Sequence, residues 1–381
     1  MARLFLGLDS STQSLSAVVI DVDSRQVVHE ESLSFDETLG GYGTENGVLR
    51  GGEPQVVHSP PLMWAEALDV MFERLQCGPV PLGDILAVSG AGQQHGSVYM
   101  NGAASGALQD LASASSLKEN LSDIFSRPTS PIWMDSSTEV ECGEIQAALG
   151  GMRRMARAVG SAAFERFTGP QIRKFYKQDP DAYAETTDIA LVSSFMASMM
   201  VGEISPIDYG DGAGMNLMDI QRKTWHPEAL DATAPGLEEK LPSLVPAATV
   251  AGRVAPYFAE KYGLNPEARS LVWSGDNPNS LVGVGLVRPG MVAISLGTSD
   301  TYFGFMKECH TDPHGEGHVF GAPTGDYMTL ICFKNGSLAR ERIRDRHGYD
   351  WEEFAAALRR TPVGNDGRMM LPYFEPEIVP R

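Results

Sequence analysis

The sequence predicts an α/β protein of two domains that aim polar hairpin tips at a shared cleft. Three observations carry this. The chain has 381 residues, enough for two domains rather than one. Strand-like and helix-like segments follow one another along most of its length. An apolar strand, a tip of small polar residues and a second strand occur twice, as LGLDSSTQSLSAVV and as VAISLGTSDTYFGF. The pair is a weak internal repeat, too short by itself to prove duplication.

The elements follow in order. The first 25 residues read as a hairpin: LFLGLD, a polar turn, then LSAVVIDVDS. A long Gly-rich loop comes next, GGYGTENGVLRGG. PPLMWAEALDVMFERLQ places apolar residues at helical spacing after a proline and predicts a helix. DILAVSGAGQQHGSVYM reads as a strand, a Gly-rich turn and a second strand. SPIWMD predicts a short strand, and STEVECGEIQAALGG a helix stopped by Gly150 and Gly151. SAAFERFTGPQIRKFYKQDPDAY reads as helix in two pieces broken at Gly169–Pro170. DIALVSSFMASMMVG is a strand running into a helix. The texture changes at LPSLVPAATVAGRVAP, which sets a domain boundary near residue 255 and units of 1–255 and 256–381. Beyond it, SLVWSGDNPNSLVGVGLVRPGMVAISLGTSDTYFGF reads as strand, turn, small-residue helix and the second hairpin.

Composition excludes several function classes. A hydrophobic content of 43% fits a soluble protein with real cores. No apolar run approaches the roughly 20 residues of a membrane span. MARLFLGLDS leads straight into Asp9 without the regions of a signal peptide. Cys77, Cys142, Cys309 and Cys332 lie far apart with no C-x-x-C pair. That spacing speaks against zinc and against disulfides, and for a reducing, cytoplasmic compartment. The net charge is −19, from 49 acidic and 30 basic residues, with no basic cluster for nucleic acid or an anionic membrane. A polyanionic ligand would need local help from a metal ion or backbone amides.

The tips hold the first chemistry. Ser, Thr and Gly at a hairpin tip expose backbone N–H groups and hydroxyls that suit phosphate oxygens. There is no G-x-x-x-x-G-K-[ST] loop. Asp9, at the end of the first strand, could hold Mg²⁺, and facing Gly297, Thr298 and Ser299 it would grip a nucleotide's phosphates and metal. An ordinary solvated turn explains the same residues. Asp276, in SGDNP between a strand and a helix, reads either as a helix N-cap or as a general base above the sheet. GQQHGS, residues 92–97, crowds donors and acceptors on one turn, as polyol recognition requires. His95 has no second His or Cys at metal spacing, so a metal role is rejected. Trp133 reads as core, Asp135 as a residue able to take a sugar hydroxyl, and Arg166 as a surface or salt-bridge arginine. Ser-hydrolase, zincin and dinucleotide motifs are absent from the sequence.

Taken together, GLDSSTQS, SGAGQQHGSVYM, PIWMDSST, FERFTGPQI, SPIDYGDGAGMN, SGDNPNSLVG, ISLGTSDT and CFKNGSLARE resemble the FGGY carbohydrate kinases, and among them the xylulose kinases of animals. The likeness runs from Leu6 to about Pro372. It implies an actin/hexokinase-like (ribonuclease H-like) fold of two α/β domains around a cleft. It also implies phosphorylation of D-xylulose at its 5-hydroxyl by Mg·ATP. Carried over by motif, Asp276 is the catalytic base, and His95, Arg166, Asp276 and Asn277 bind the sugar, with Gln94 and Asp135 as further contacts. Asp9 lies near Mg²⁺. Ser11, Thr12 and Gln13 form one phosphate loop, and Gly297, Thr298 and Ser299 the other. Trp351 falls near the adenine of ATP.

Two departures stand out. Ser136 and Ser137 follow Asp135 where many bacterial relatives carry an arginine. The chain also ends at MMLPYFEPEIVPR, before a Gly-Gly…Asn adenine motif, so an incomplete second domain is expected. That leaves three other readings open: a family kinase for ribulose or another ketose or polyol, a sugar-binding fragment without an adenine pocket, and a nucleotide switch of the actin type. The sequence leaves the oligomeric state unknown, a homodimer being one option.

Overall fold

The computed structural model describes residues 3–49, 52–297, 299–377 and 379. The chain opens with three antiparallel strands, β1 (Leu4–Ser10), β2 (Ser14–Asp21) and β3 (Gln26–Ser34). In β1 the alternate residues Leu4, Leu6 and Leu8 are buried, and Leu15, Ala17 and Val19 do the same on β2. This period of two gives the hairpin one dry face and fixes its register, with Leu8 opposite Ala17. Helix α1 (Pro61–Gln76) starts with a proline and buries Trp64, Leu68, Met71 and Phe72 against that face.

The sheet then grows by parallel addition. Strand β4 (Ile85–Gly92) pairs with β1, and β5 (Ser97–Asn101) follows a turn at residues 93–96. The strand, turn and strand follow the sequence expectation, but the two strands do not pair with each other. Strand β5 leaves the sheet and pairs later with β6 instead. His95 in the turn adopts φ +70°, a left-handed conformation that throws the chain out of the sheet plane.

Next come α2 (Glu139–Ala148), α3 (Met152–Val159) and α4 (Thr168–Gln178). The structure corrects the expectation of helix on both sides of Gly169–Pro170. Residues 161–167 are irregular, and the helix begins at Thr168, with the proline in its first turn where its missing N–H costs nothing. Phe164 and Phe167 in the irregular stretch are buried, so packing decides the local conformation. SPIWMD is likewise a strand only at Ser130–Pro131.

Strand β6 (Thr186–Leu191) pairs with β5 and runs into helix α5 (Val192–Val201), buried from Val192 to Met200. The short helix α6 (Tyr209–Ala213) follows, capped by the Asp208 side chain. Then β7 (Val250–Arg253), α7 (Pro256–Tyr262), β8 (Arg269–Leu271) and β9 (Ser274–Gly275) complete the first sheet in the order β7-β8-β4-β1-β2-β3, with β9 also on β4. Helix α8 (Asp276–Gly283) leaves β9 directly.

A second, antiparallel sheet has the order β10-β11-β13-β12, from β10 (Val292–Leu296), β11 (Asp300–Met306), β12 (His318–Gly321) and β13 (Tyr327–Phe333). Phe303, Phe305, Val319 and Phe320 of this sheet pack on Phe164, Phe167 and Ala213. Helices α9 (Ser337–Arg346) and α10 (Trp351–Arg360) follow. On the edge strand β10, Ile294 and Leu296 are 63% and 67% exposed, an uncovered apolar edge.

Candidate active site

Three parallel strand ends build the centre of the site. The register sets Ser10 of β1 level with Gly92 of β4, and Gly92 level with Gly275 of β9. Asp9, the 93–96 turn and Asp276 therefore emerge side by side at the carboxyl edge of one sheet. Open α/β sheets offer their ligand crevice at that edge. The Gln93 backbone N–H donates to the Ser10 carbonyl at 2.9 Å and locks the first two ends together. A Cβ on Gly275 would stand 2.4 Å from Gln94 Cγ, so only glycine lets the third end close on the turn.

Asp276 is the first residue of α8 and not its cap. Gly275 holds the cap position, which removes the bland reading of the aspartate. The Asp276 carboxylate accepts from the Asn277 backbone N–H at 2.8 Å and from Asn277 Nδ2 at 3.1 Å. Asn277 Nδ2 also donates to Gln94 Oε1 at 3.0 Å, so carboxylate, amide and turn form one chain of contacts. Burial pushes the Asp276 carboxyl up to about 6, against hydrogen bonds from Asn277 and the Gln94 N–H, with the charge of Asp9 adding to the rise. Asp9 is itself raised by burial, and its Oδ1 is buried without a hydrogen-bond partner.

His95 lies on the same turn. Its Nδ1 is 2.8 Å from the Gly214 carbonyl, which can only accept, so Nδ1 carries the hydrogen. Burial first, and the nearby Arg166 charge second, drive the imidazolium down to about 3. His95 is thus neutral, with a lone pair on Nε2. The Arg166 guanidinium stacks near Phe164 and Phe167 and reaches His318 Nε2 of β12 at 3.4 Å. The second sheet thereby touches a sugar-site candidate of the first.

Asp135 is fully engaged. Its two oxygens accept from the Val57 N–H at 2.9 Å, the Ser137 N–H at 3.0 Å, Ser137 Oγ at 2.5 Å and Gln171 Nε2 at 2.7 Å. Burial would raise its carboxyl, but these bonds outweigh burial and hold it below the usual range. The Ser137 that departs from the bacterial pattern supplies two of the four. Trp133 is not core: it is 45% exposed, and its indole N–H donates to Thr12 Oγ1 at 2.8 Å.

At the first tip, the Ser11 N–H and hydroxyl close the turn on the Ser14 carbonyl, each at 3.0 Å. Thr12 Oγ1 donates to Gln93 Oε1 at 3.3 Å, and the Gln13 carbonyl accepts from the Phe35 N–H. At the second tip Thr298 lies outside the described residues. The Gly297 carbonyl accepts from the Ser337 N–H at 2.8 Å, and Ser299 is exposed. Arg340 clamps the adjoining Asp300 through two bonds of 2.6 and 2.8 Å. Trp351 is 58% exposed under the Arg344 guanidinium, 4.2 Å from its ring centre. Asp9, Thr12, Gln94, His95, Arg166, Asp276 and Asn277 form one connected region. The contacts of Gly297 with Ser337 and of Trp351 with Arg344 stay within the second unit.

Sequence reasoning passed over Asp208, Asp211, Ser193, Gln171, His318 and Arg340. The available signal was IDYGDG, two carboxylates three apart among apolar and glycine residues that otherwise read as buried. Among the described residues no group of three His, Cys, Asp or Glu could hold a metal ion. Mg²⁺ needs no such cage, since one carboxylate, waters and substrate phosphates suffice, and the partnerless Asp9 Oδ1 fits that demand.

Residues 129–283 match the FGGY family of carbohydrate kinases, N-terminal domain. Xylulose kinase 2 of Arabidopsis thaliana is 48% identical over 99% of this chain and 68% of its own length. Xylulose kinase of Rattus norvegicus is 45% identical over 99% of this chain and 70% of its own. The chain thus spans about two thirds of the length of these relatives. Among solved structures, a xylulose kinase from Rhodospirillum rubrum superposes with TM-score 0.81 at 18% identity, covering 99% of this chain and 71% of its own. A Plasmodium falciparum glycerol kinase with ADP superposes with TM-score 0.73 at 14% identity, over 92% and 65%. Those structures establish the actin/hexokinase-like α/β fold. With close to half of its residues identical to a curated relative over nearly all of its length, the chain belongs to the FGGY family of carbohydrate kinases.

Proposed function

We propose that this chain phosphorylates D-xylulose to D-xylulose 5-phosphate with Mg·ATP, Asp276 acting as the base. The observation that carries the reading is the level row of strand ends, which sets a carboxylate of pKa about 6 beside Asp9 and against the Gln94–Asn277 pair. The xylulose kinases of Arabidopsis and rat support the substrate. In this reading residues 1–255 form the sugar-holding domain and 256–381 the second, with β8 and β9 reaching back to complete the first sheet.

The sugar hydroxyl attacks the γ-phosphorus. A new O–P bond forms, the bond to the bridging oxygen of ADP breaks, and the hydroxyl proton passes to Asp276. A carboxylate of pKa about 6 is mostly ionised at neutral pH yet basic enough to hold that proton. His95 accepts a sugar hydroxyl at Nε2, Arg166 donates to sugar oxygens, and Asn277 and Gln94 orient the reacting end. Asp135 braces the pocket wall, its acceptor capacity being spent on protein donors. The phosphates rest on the backbone N–H groups of Thr12 and Gln13 on one side, in a turn that Ser11 closes on Ser14, and on the tip of Gly297 and Ser299 on the other. Trp351 stands by the adenine. Asp9 would hold Mg²⁺ through its unpartnered Oδ1, and the ion, when bound, would neutralise charge on the phosphates. Closure of the cleft excludes water, the competing nucleophile.

The test is ADP release by this chain with Mg·ATP, with and without D-xylulose, beside Asp276→Asn. Release that depends on xylulose and falls at least about a hundredfold in the variant supports the reading. Release driven better by ribulose replaces the substrate. Full turnover by Asp276→Asn overturns the base.

A further inference from the structure

Asp211 is a buried carboxyl that the mechanism does not use. It sits on α6 at 1% exposure, and its only hydrogen-bond donor among the described residues is the Ser193 hydroxyl, which binds Oδ2. Its Oδ1 is buried without a partner, 2.9 Å from where a Cβ on Gly275 would stand. That is the residue before the base. The charged groups that face it are both carboxyls, Asp208 beside it and Asp276 from α8. Of the other elements packed there, α5 brings Ser193 to its carboxyl, and β12, which carries His318, packs on α6.

The three carboxyls are not equally provided for. Asp208 accepts from the Gly210 N–H, the Asp211 N–H and Ser274 Oγ, each at 2.9 Å. Asp276 accepts from the Asn277 N–H, Asn277 Nδ2 and the Gln94 N–H. Asp211 has one donor. Like charges packed in a dry site cannot all ionise, and the proton settles on the group with the fewest donors. Burial and the Asp208 charge both raise Asp211 well above the usual range.

We infer that Asp211 is carried as a neutral carboxylic acid and is the positioning residue of the Asp276 base. It bonds Ser193, at the head of α5, and packs against the strand end at Gly275. Helix α6 also leads into Gly214, whose carbonyl holds His95. One protonated side chain thus braces the elements from which the base and a sugar ligand hang. Because it is neutral, it leaves Asp276 free to carry the negative charge. The inference rests on the reading of Asp276 as the base.

The experiment compares the full chain with Asp211→Asn and Asp211→Ala. Asparagine mimics a neutral acid, so Asp211→Asn keeps kcat/KM within about twofold and leaves the acid limb of its pH profile in place. Its infrared spectrum at neutral pH loses the carbonyl stretch of a protonated carboxyl that the parent shows. Asp211→Ala, which withdraws the brace, lowers kcat at least about tenfold. Absence of the protonated-carboxyl band in the parent, or an acid limb moved by about a unit or more in Asp211→Asn, overturns the inference. Should Asp276→Asn keep full turnover, the base reading falls and the positioning role with it, while the infrared band still reports the protonation of Asp211 separately.

Discussion

Replacing Asp276 with asparagine is expected to give a protein that is more stable than its parent and inactive. Burial, opposed by the bonds from Asn277 and Gln94, lifts the carboxyl from 3.8 to about 6. Unfolding returns it to its ordinary value. Between those two values the folded state binds more protons than the unfolded one, so stability falls as pH rises. The contribution is whole below about pH 4 and is lost as pH passes about 6. A rise of that size corresponds to about 3 kcal/mol of electrostatic stress at neutral pH, an upper bound. Asparagine removes the charge and can still accept from the Asn277 N–H through its carbonyl. Its own amide then needs partners, so a net gain of about 1–2 kcal/mol is expected. For a chain of this size that is a Tm higher by about 1–3 °C. The assay is thermal unfolding of both proteins at constant ionic strength, without nucleotide or magnesium, at about pH 7.5 and about pH 4. The gain should stand at the higher pH and shrink towards zero at the lower. A variant less stable than the parent at the higher pH, or a gain equal at both, refutes the reasoning.

Three further outcomes follow from single contacts. Gly47 has φ +78°, and a Cβ on it would lie 1.8 Å from the Thr12 carbonyl oxygen, so Gly47→Ala must displace the first tip. It should cost about 2 kcal/mol or more in a denaturant titration and raise the KM for ATP more than that for sugar. His95→Asn keeps a residue that tolerates φ +70° but removes Nε2. The KM for xylulose should rise about tenfold or more while that for ATP stays put. Arg340→Ala leaves Asp300 without its two-bond partner beside the second tip, and the KM for ATP should rise with that for xylulose unchanged.

Sequence legibility follows the strength of local periodicity. Strands β1 and β2 and helix α1 carry long, unambiguous patterns, and their structure matches the expectation. Residues 161–167 read as helix, yet Phe164 and Phe167 are pulled into the packing against Phe320 of the second sheet, a contact no local window contains. The pairing of β5 escapes a local reading because a single left-handed residue, His95, redirects the strand. Within the site, the residues on the tips and turn are visible as motifs. Asp211 is not, because its meaning depends on Ser193 and Gly275, which only folding brings to it. Residue type alone sends Trp133 to the core, whereas its indole N–H is spent on Thr12 near the surface.

The distribution of charge around the tips gives Mg²⁺ a larger part in the proposed reaction than that of an accessory. The chain carries a net charge of −19, and the centre of the cleft presents Asp9 and Asp276. Near the second tip Arg340 spends its guanidinium on Asp300, so that pair brings no net charge to a phosphate. Arg166 lies with His95 and His318, on the sugar side. The groups read here as phosphate contacts are backbone N–H and hydroxyl groups, which orient oxygens but do not balance several negative charges in a low-dielectric cleft. The balance has to arrive with the nucleotide, as its cation. Free ATP should accordingly bind this chain far more weakly than Mg·ATP, and the difference should narrow when Asp9 is replaced by asparagine, which removes the carboxylate that in the proposed reading both repels the phosphates and holds the metal.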